Sequence, residues 1–243
     1  MTRLTSLQTE FVESVLNLKP LVATFDCDGT LWSGDAGVGF FYWELEHGLG
    51  SEPLVSEPIV RWARSRYADY KAGLVDEDTM CGEMVTMHRG LREEVVQQAA
   101  DAYFPQAIGP GIFPEMRQLV QRLRASGCDV WVVSSSNRWV IRSGMRFFGI
   151  PQNRILAVEA AVENGTIDST ITDRLIRVPS GPGKPEAIRS VLKSSPDCAF
   201  GNAIWDREML AMSNHAFAIN PNPDLKEIAI ANGWTVYQPQ LNH

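Results

Sequence analysis

The sequence predicts an α/β protein: a Rossmann-like parallel sheet with helices on both faces, plus a small helical cap inserted early in the chain. Three observations predict this. Short apolar runs recur and end in small or polar residues, as buried strands do. Segments with helical spacing separate those runs, which favours parallel strands joined by crossover helices. Between about Asp35 and Pro105 the alternation stops, and aromatic and charged residues mix without strand period.

The elements follow in order. Leu4, Leu7, Phe11, Val15 and Leu18 recur at helical spacing, and Pro20 ends that helix. Leu21 to Asp26 reads as a short buried strand running into Gly29. The stretch 35–105 reads as mostly helical, with breaks near Gly48-Leu49-Gly50 and Gly73, and Gly109-Pro110-Gly111 closes it with turn chemistry. Met116, Leu119, Val120 and Leu123 make one helix face, with Gly127 where a C-terminal cap belongs. Val130 to Val133 is a second strand, ending in Ser134-Ser135-Ser136-Asn137, and a helix follows to about Phe148. Ile155 to Val158 is a third strand. Val162 to Ile171 reads as a hairpin turning at Asn164-Gly165. Pro185 to Leu192 is a helix with proline first. Cys198-Ala199-Phe200 and Ala216 to Ile219 are further strands. The domain division expected is a core of residues 1–34 and 106–243 and a cap of residues 35–105.

Composition narrows the function. The 243 residues are 44% hydrophobic, enough to bury a core, and the net charge of −7 gives no basic face for nucleic acid. The four cysteines form no CxxC pair, so neither a zinc ribbon nor a disulfide framework is expected. The four histidines show no paired metal spacing. No run of about 18 apolar residues marks a membrane span, and the N-terminal stretch has no continuous apolar core of a secretion signal. The expectation is a cytoplasmic protein, in which the sequon Asn164-Gly165-Thr166 stays unmodified.

In open parallel sheets the ligand site lies beyond the carboxyl ends of the strands. Here those ends carry Asp26-Cys27-Asp28-Gly29-Thr30, then Ser134, then Gly201-Asn202 with Asp206 close behind. Lys184 starts a helix nearby in sequence. Asp26 and Asp28, two apart on an extended strand end, put both carboxylates on one side and turn Cys27 into the core. Such a pair repels itself unless a cation or a shared proton intervenes. Mg²⁺, which takes hard oxygen ligands, suits it. One carboxylate can then attack an electrophile while the other moves a proton. Each residue alone has a plainer reading: Asp26 and Asp28 as loop caps, Ser134 to Ser136 as a helix N-cap cluster, Lys184 as a surface lysine. Gly181-Pro182-Gly183-Lys184 is not a nucleotide-binding P-loop, because Val178 takes the first glycine position and Pro185 follows the lysine.

Together these residues resemble the motifs of the haloacid dehalogenase superfamily. Asp26 to Leu31 is similar to its nucleophile motif, Ser134 to its second, Lys184 to its third, and Gly201 to Asp206 to its fourth, in order across residues 20–222. The resemblance implies that Asp26 is a nucleophile forming an aspartyl-phosphate and that Asp28 is the general acid and base. It implies that Ser134 bonds the phosphoryl group, that Lys184 neutralises charge, and that Asp26, Asp28, Asn202 and Asp206 hold Mg²⁺. Gly29, Thr30 and Ser135 would help bind substrate. The family usually has aspartate where this chain has Asn202, so weaker metal binding is expected, with Asn202→Asp tightening it. Glu208 is a further acid or a partner of Arg207.

The early helical insertion and the later hairpin resemble the phosphoserine phosphatase-like branch. There an acid at the position of Asp35 reads the substrate amine; the same residue also suits a solvated hinge. Arg61, Arg64 and Arg66 could bind a substrate carboxylate or lie on a charged helix face. Phe40, Phe41, Tyr42 and Trp43 could line a pocket or pack the cap. The leading expectation is a Mg²⁺-dependent phosphatase acting on a small phosphorylated metabolite, phosphoserine or another amino-bearing ester, with no nucleic-acid or membrane partner. The alternatives are a catalytically weakened binding protein, a phosphotransferase and, disfavoured by Asp28, a dehalogenase.

Overall fold

A computed structural model describes residues 3–47, 57–168 and 175–241. Helix α1 (Ser6–Leu16) opens the chain on a capping box, in which the Thr5 hydroxyl accepts from the Gln8 N–H and the Gln8 side chain accepts from the Thr5 N–H. Strand β1 (Val22–Phe25) follows. Four helices then form the expected insertion: α2 (Ala36–His47), α3 (Glu57–Lys71), α4 (Glu77–Thr86) and α5 (Glu93–Ala107). Gly73, at φ +74°, makes the anticipated break after α3. Gly48 to Gly50 lies outside the described residues.

The regular alternation resumes with α6 (Pro114–Ala125), β2 (Asp129–Asn137), α7 (Arg138–Met145) and β3 (Ile155–Ala160). A short hairpin, β4 (Val162–Glu163) and β5 (Thr166–Ile167), turns at Asn164 and Gly165, both at positive φ as a tight hairpin turn demands. Its expected end at Ile171 lies outside the described residues. Then come β6 (Leu175–Arg177), α8 (Gly183–Arg189), β7 (Cys198–Gly201), α9 (Arg207–Ala211), β8 (His215–Ile219), α10 (Pro223–Ala231) and β9 (Thr235–Tyr237).

The main sheet of the described residues has the order β6-β3-β2-β1-β7-β8-β9. Every neighbouring pair is parallel except β6 with β3. β1 lies between β2 and β7, so the chain winds outward from it in both directions, and a ligand site belongs beyond its carboxyl end. Helix α8 begins at Gly183, two residues before the expected start, so Pro185 is its third residue and Lys184 sits inside its first turn. β2 runs through the three serines, and the cap of α7 is Asn137, whose side chain accepts from the Val140 N–H at 2.9 Å. The serines are therefore not the cap. They lie where the register shifts: four residue steps on β2, from Val133 to Asn137, face two on β3. Such an irregularity re-aims side chains at a strand end.

The insertion is packed in two ways. Phe40 of α2 and Val96, Ala100, Tyr103 and Phe104 of α5 join the main core beneath the sheet. Phe41, Leu45, Ala63, Val75, Met80 and Met87 make a separate small core of their own. Helix α5 runs through Pro105 to Ala107 without a break at the expected boundary. No helix among the described residues is long and apolar enough to cross a membrane.

Candidate active site

The site is built from the end of β1. The Asp26 N–H donates to the Phe200 carbonyl at 2.8 Å, which pins the turn after β1 to β7. The chain then turns tightly, with the Thr30 and Leu31 N–H groups both donating to the Cys27 carbonyl. Gly29 allows this turn. Its φ is +72°, and a Cβ there would lie 1.9 Å from Asn202 Nδ2. Cys27 is fully buried, as its alternation with the two acids predicts.

Lys184 reaches into the same place from α8. Its ammonium donates to Asp26 Oδ1 at 2.7 Å, Asp206 Oδ1 at 2.5 Å and the Val133 carbonyl at 2.9 Å. Those three acceptors match its three N–H donors, which is what a lysine at 1% exposure requires. Burial alone would lower its pKa, but Asp206 and Asp26 outweigh it and hold the ammonium above its ordinary value. The other oxygen of Asp206 accepts from the N–H groups of Asn202 at 2.8 Å and Ala203 at 2.9 Å. Asp206 thus braces both Lys184 and the loop after β7. The other oxygen of Asp26 accepts from the Thr30 hydroxyl at 3.0 Å.

Asp28 is held by three donors. Its Oδ1 accepts from Trp32 Nε1 at 2.8 Å and the Ala36 N–H at 2.6 Å, and its Oδ2 from the Ser136 hydroxyl at 2.6 Å. Burial, with Asp206 adding to it against the pull of Lys184, pushes Asp26 up to about 7. Burial and the nearby Asp35 push Asp28 up to about 7, against its three donors. Solvent reaches Asp35 through the mouth of the cleft, but the protein packed around it removes much of its water and raises its pKa.

The cleft has a volume of about 430 Å³. Asp26, Asp28, Gly29, Asp35, Ser135, Lys184, Asn202 and Asp206 all line it, so eight of the residues singled out from the sequence converge. Ser134 and Thr30 stand behind its wall: the Ser134 oxygen accepts from the Ser136 N–H at 3.1 Å, and Thr30 serves Asp26. A larger groove of about 640 Å³, lined by Lys19, Leu21 and Arg122 among others, lies beside the amino end of β1 and gathers no comparable chemistry.

Sequence reasoning missed Tyr70 and Glu77, which reach the cleft from the insertion and are hydrogen-bonded to each other. Trp205, within the fourth motif, and Asn220 and Asn222, in the stretch after β8, also line the cleft, though the sequence assigned them no role. Tyr70 and Glu77 carry no local signal, since tertiary packing brings them in. Of the three arginines considered for a carboxylate, none lines the cleft, and Arg66 pairs with Glu83 at 2.6 Å. Phe40 and Phe41 are core residues. Glu208 pairs with Arg207.

Asp26, Asp28, Asp35, Glu77 and Asp206 face one lysine among the described residues of this cleft. That excess of hard oxygen donors, with the Asn202 carboxamide among them, suits a divalent cation such as Mg²⁺. No trio of carboxylate, imidazole or thiol groups forms a metal cluster among the described residues. Mg²⁺ keeps several waters and needs only a few protein oxygens of the kind these side chains offer.

Comparison with known proteins agrees with this geometry. Residues 23–211 match the family model of the haloacid dehalogenase-like hydrolases. A histidinol-phosphatase from Neisseria meningitidis serogroup C (strain 8013) is 25% identical over 225 residues, covering 88% of this chain and 97% of that protein. A solved structure of a protein of unknown function from Bordetella pertussis Tohama I superposes with a TM-score of 0.74 at 20% identity, covering 91% of this chain and 98% of the other. A substrate-bound phosphoserine phosphatase superposes with a TM-score of 0.60 at 16% identity, covering 91% and 93%.

Proposed function

Because this chain belongs to the haloacid dehalogenase-like hydrolases and carries the fold of their phosphoserine phosphatase-like branch, we propose that this phosphatase cleaves a small phosphomonoester through an aspartyl-phosphate on Asp26. The single observation that carries the reading is the buried Asp26–Lys184–Asp206 chain at the end of the central strand, with Asp28 alongside. Lys184 lowers the repulsion that a phosphoryl dianion would meet from Asp26. Asp26 attacks phosphorus as the ester P–O bond breaks, and Asp28 gives its proton to the leaving alcohol oxygen. Water then attacks the aspartyl-phosphate, Asp28 takes back a proton, and Asp26 is released with inorganic phosphate. A pKa near 7 for Asp28 suits both halves of that exchange.

Members of this family are typically Mg²⁺-dependent. In this chain Asp26, the Asp28 carbonyl and Asn202 would hold the ion, with Asp206 contributing through water because its carboxylate already serves Lys184 and two main-chain N–H groups. The ion would supply charge neutralisation for the phosphoryl group. Ser135 and Gly29 face the phosphoryl site, while Ser134 and Thr30 act from behind it. Residues 35–105 serve as the cap over the core formed by residues 1–34 and 106–243. Asp35 faces the leaving group, which favours an amino-bearing ester.

The test is turnover of p-nitrophenyl phosphate with and without Mg²⁺. Asp26→Asn is expected to remove activity while the circular dichroism and melting transition remain those of a folded protein. Retained turnover removes Asp26 as nucleophile. Tight binding of phosphometabolites by the unaltered protein without any hydrolysis would favour a binding role instead.

A further inference from the structure

The geometry points to Trp32 as a positioning residue for the general acid: its indole N–H, with the Ala36 N–H, fixes which oxygen of Asp28 carries the transferable proton. This rests on the phosphomonoesterase reading above.

Trp32 lies six residues after the nucleophile and is fully buried. Its ring packs edge-on against Phe104, 5.0 Å between centroids, and against Phe148 at 6.1 Å. Helix α7 closes on it so tightly that a Cβ at Gly144 would lie 3.1 Å from the ring. The indole has no room to turn, so its N–H direction is set by the core.

That N–H donates to Asp28 Oδ1 at 2.8 Å, and the Ala36 N–H donates to the same oxygen at 2.6 Å. Indole and backbone N–H groups can only donate. An oxygen that accepts from both has no partner for a proton of its own. Neutral Asp28 therefore carries its proton on Oδ2. The partner of Oδ2 is the Ser136 hydroxyl at 2.6 Å, which can accept as well as donate and which lines the cleft. Space for that hydroxyl comes from Gly37, where a Cβ would lie 2.3 Å from Ser136 Oγ. When the ester bond breaks, the proton on Oδ2 passes to the leaving oxygen and Asp28 becomes a carboxylate. Water returns a proton to that same oxygen as the aspartyl-phosphate is cleaved.

The signature is a dependence on the leaving group. A p-nitrophenolate leaves without much help, whereas a phenolate needs its proton. Trp32→Phe keeps an aromatic ring and deletes the N–H. Its kcat/KM for phenyl phosphate is expected to fall about tenfold further than for p-nitrophenyl phosphate, within the range a general acid contributes. Loss of folded protein lowers both esters by one factor, so the ratio separates positioning from damage. If Trp32→Phe folds poorly, 3-benzothienylalanine placed at position 32 keeps the shape of the ring with sulfur in place of N–H, and the same ratio is read. Equal losses on the two esters, or no loss, overturn the role of Trp32 and leave the phosphatase reading standing. Absence of turnover of both esters by the unaltered protein, with Mg²⁺ supplied, overturns the phosphatase reading and this inference with it.

Discussion

Lys184 puts one ammonium between two carboxylates in a place that water barely reaches. Removing one member of such a set leaves buried charge without a partner, which costs about 3–5 kcal/mol. Lys184→Met is therefore expected to lose stability of that order in urea unfolding of the metal-free protein at neutral pH. The loss shrinks in acid, where Asp26 takes up a proton. Asn202→Asp adds a charged oxygen beside the same acids, so the Mg²⁺ concentration giving half-maximal activity is expected to fall; a rise or no change counts against Asn202 as a ligand of the ion. At this scale the sequence was legible where chemistry sits on a strand end, because strand alternation places Asp26 and Asp28 together and the motif order brings in Lys184 and Asp206. It was not legible for the donors that hold Asp28. Trp32 looks like an ordinary core aromatic, and only the folded turn after β1 aims its N–H.

Between elements, the buried pair of Glu44 on α2 and His88 after α4 ties the insertion together at 2.7 Å. The His88 ring also packs against Trp139 of α7, with centroids 5.0 Å apart. Burial would lower the imidazole pKa, but Glu44 more than offsets this and raises it above its ordinary value of 6.5. Burial raises Glu44 as well. A group whose pKa rises on folding binds its proton more tightly in the native state, so its contribution is full below the unfolded value and is lost as pH rises. The melting temperature is therefore expected to fall as pH climbs from about 6.5 through the folded imidazole value, and His88→Gln should flatten that slope. A slope unchanged in the variant places the titration elsewhere. Elements themselves were legible where local pattern marked them. The apolar strand runs, the helix of Met116 to Leu123 and the hairpin turning at Asn164-Gly165 stood out, whereas the edge strands β6 and β9 and the nine-residue α10 carry too little pattern to register. Helix α8 begins at Gly183, two residues before its proline, and a Cβ there would lie 2.4 Å from the Val178 carbonyl oxygen.

Across the whole molecule, the first helix and the last strand meet on one buried carboxylate. Glu115 of α6 accepts from the Gln8 side chain at 3.1 Å, the Tyr237 hydroxyl at 3.2 Å and the Gln240 N–H at 3.0 Å. Hydrogen bonds to a charged group are worth about 1.5–3 kcal/mol each. Glu115→Ala, which strands three donors, is expected to lower urea-unfolding stability by at least about 2 kcal/mol without changing activity in the remaining folded fraction. Neither terminal segment's role could be read in advance, since both depend on contacts more than a hundred residues apart. Cys27 has a consequence of the same global kind. Burial and the flanking Asp26 and Asp28 push its thiol well above the ordinary range, and only a thiolate reacts with iodoacetamide. In the native molecule that sulfur is silent toward alkylating reagents. It becomes labelled only when the central strand comes apart, so its rate of modification is a clock for global opening.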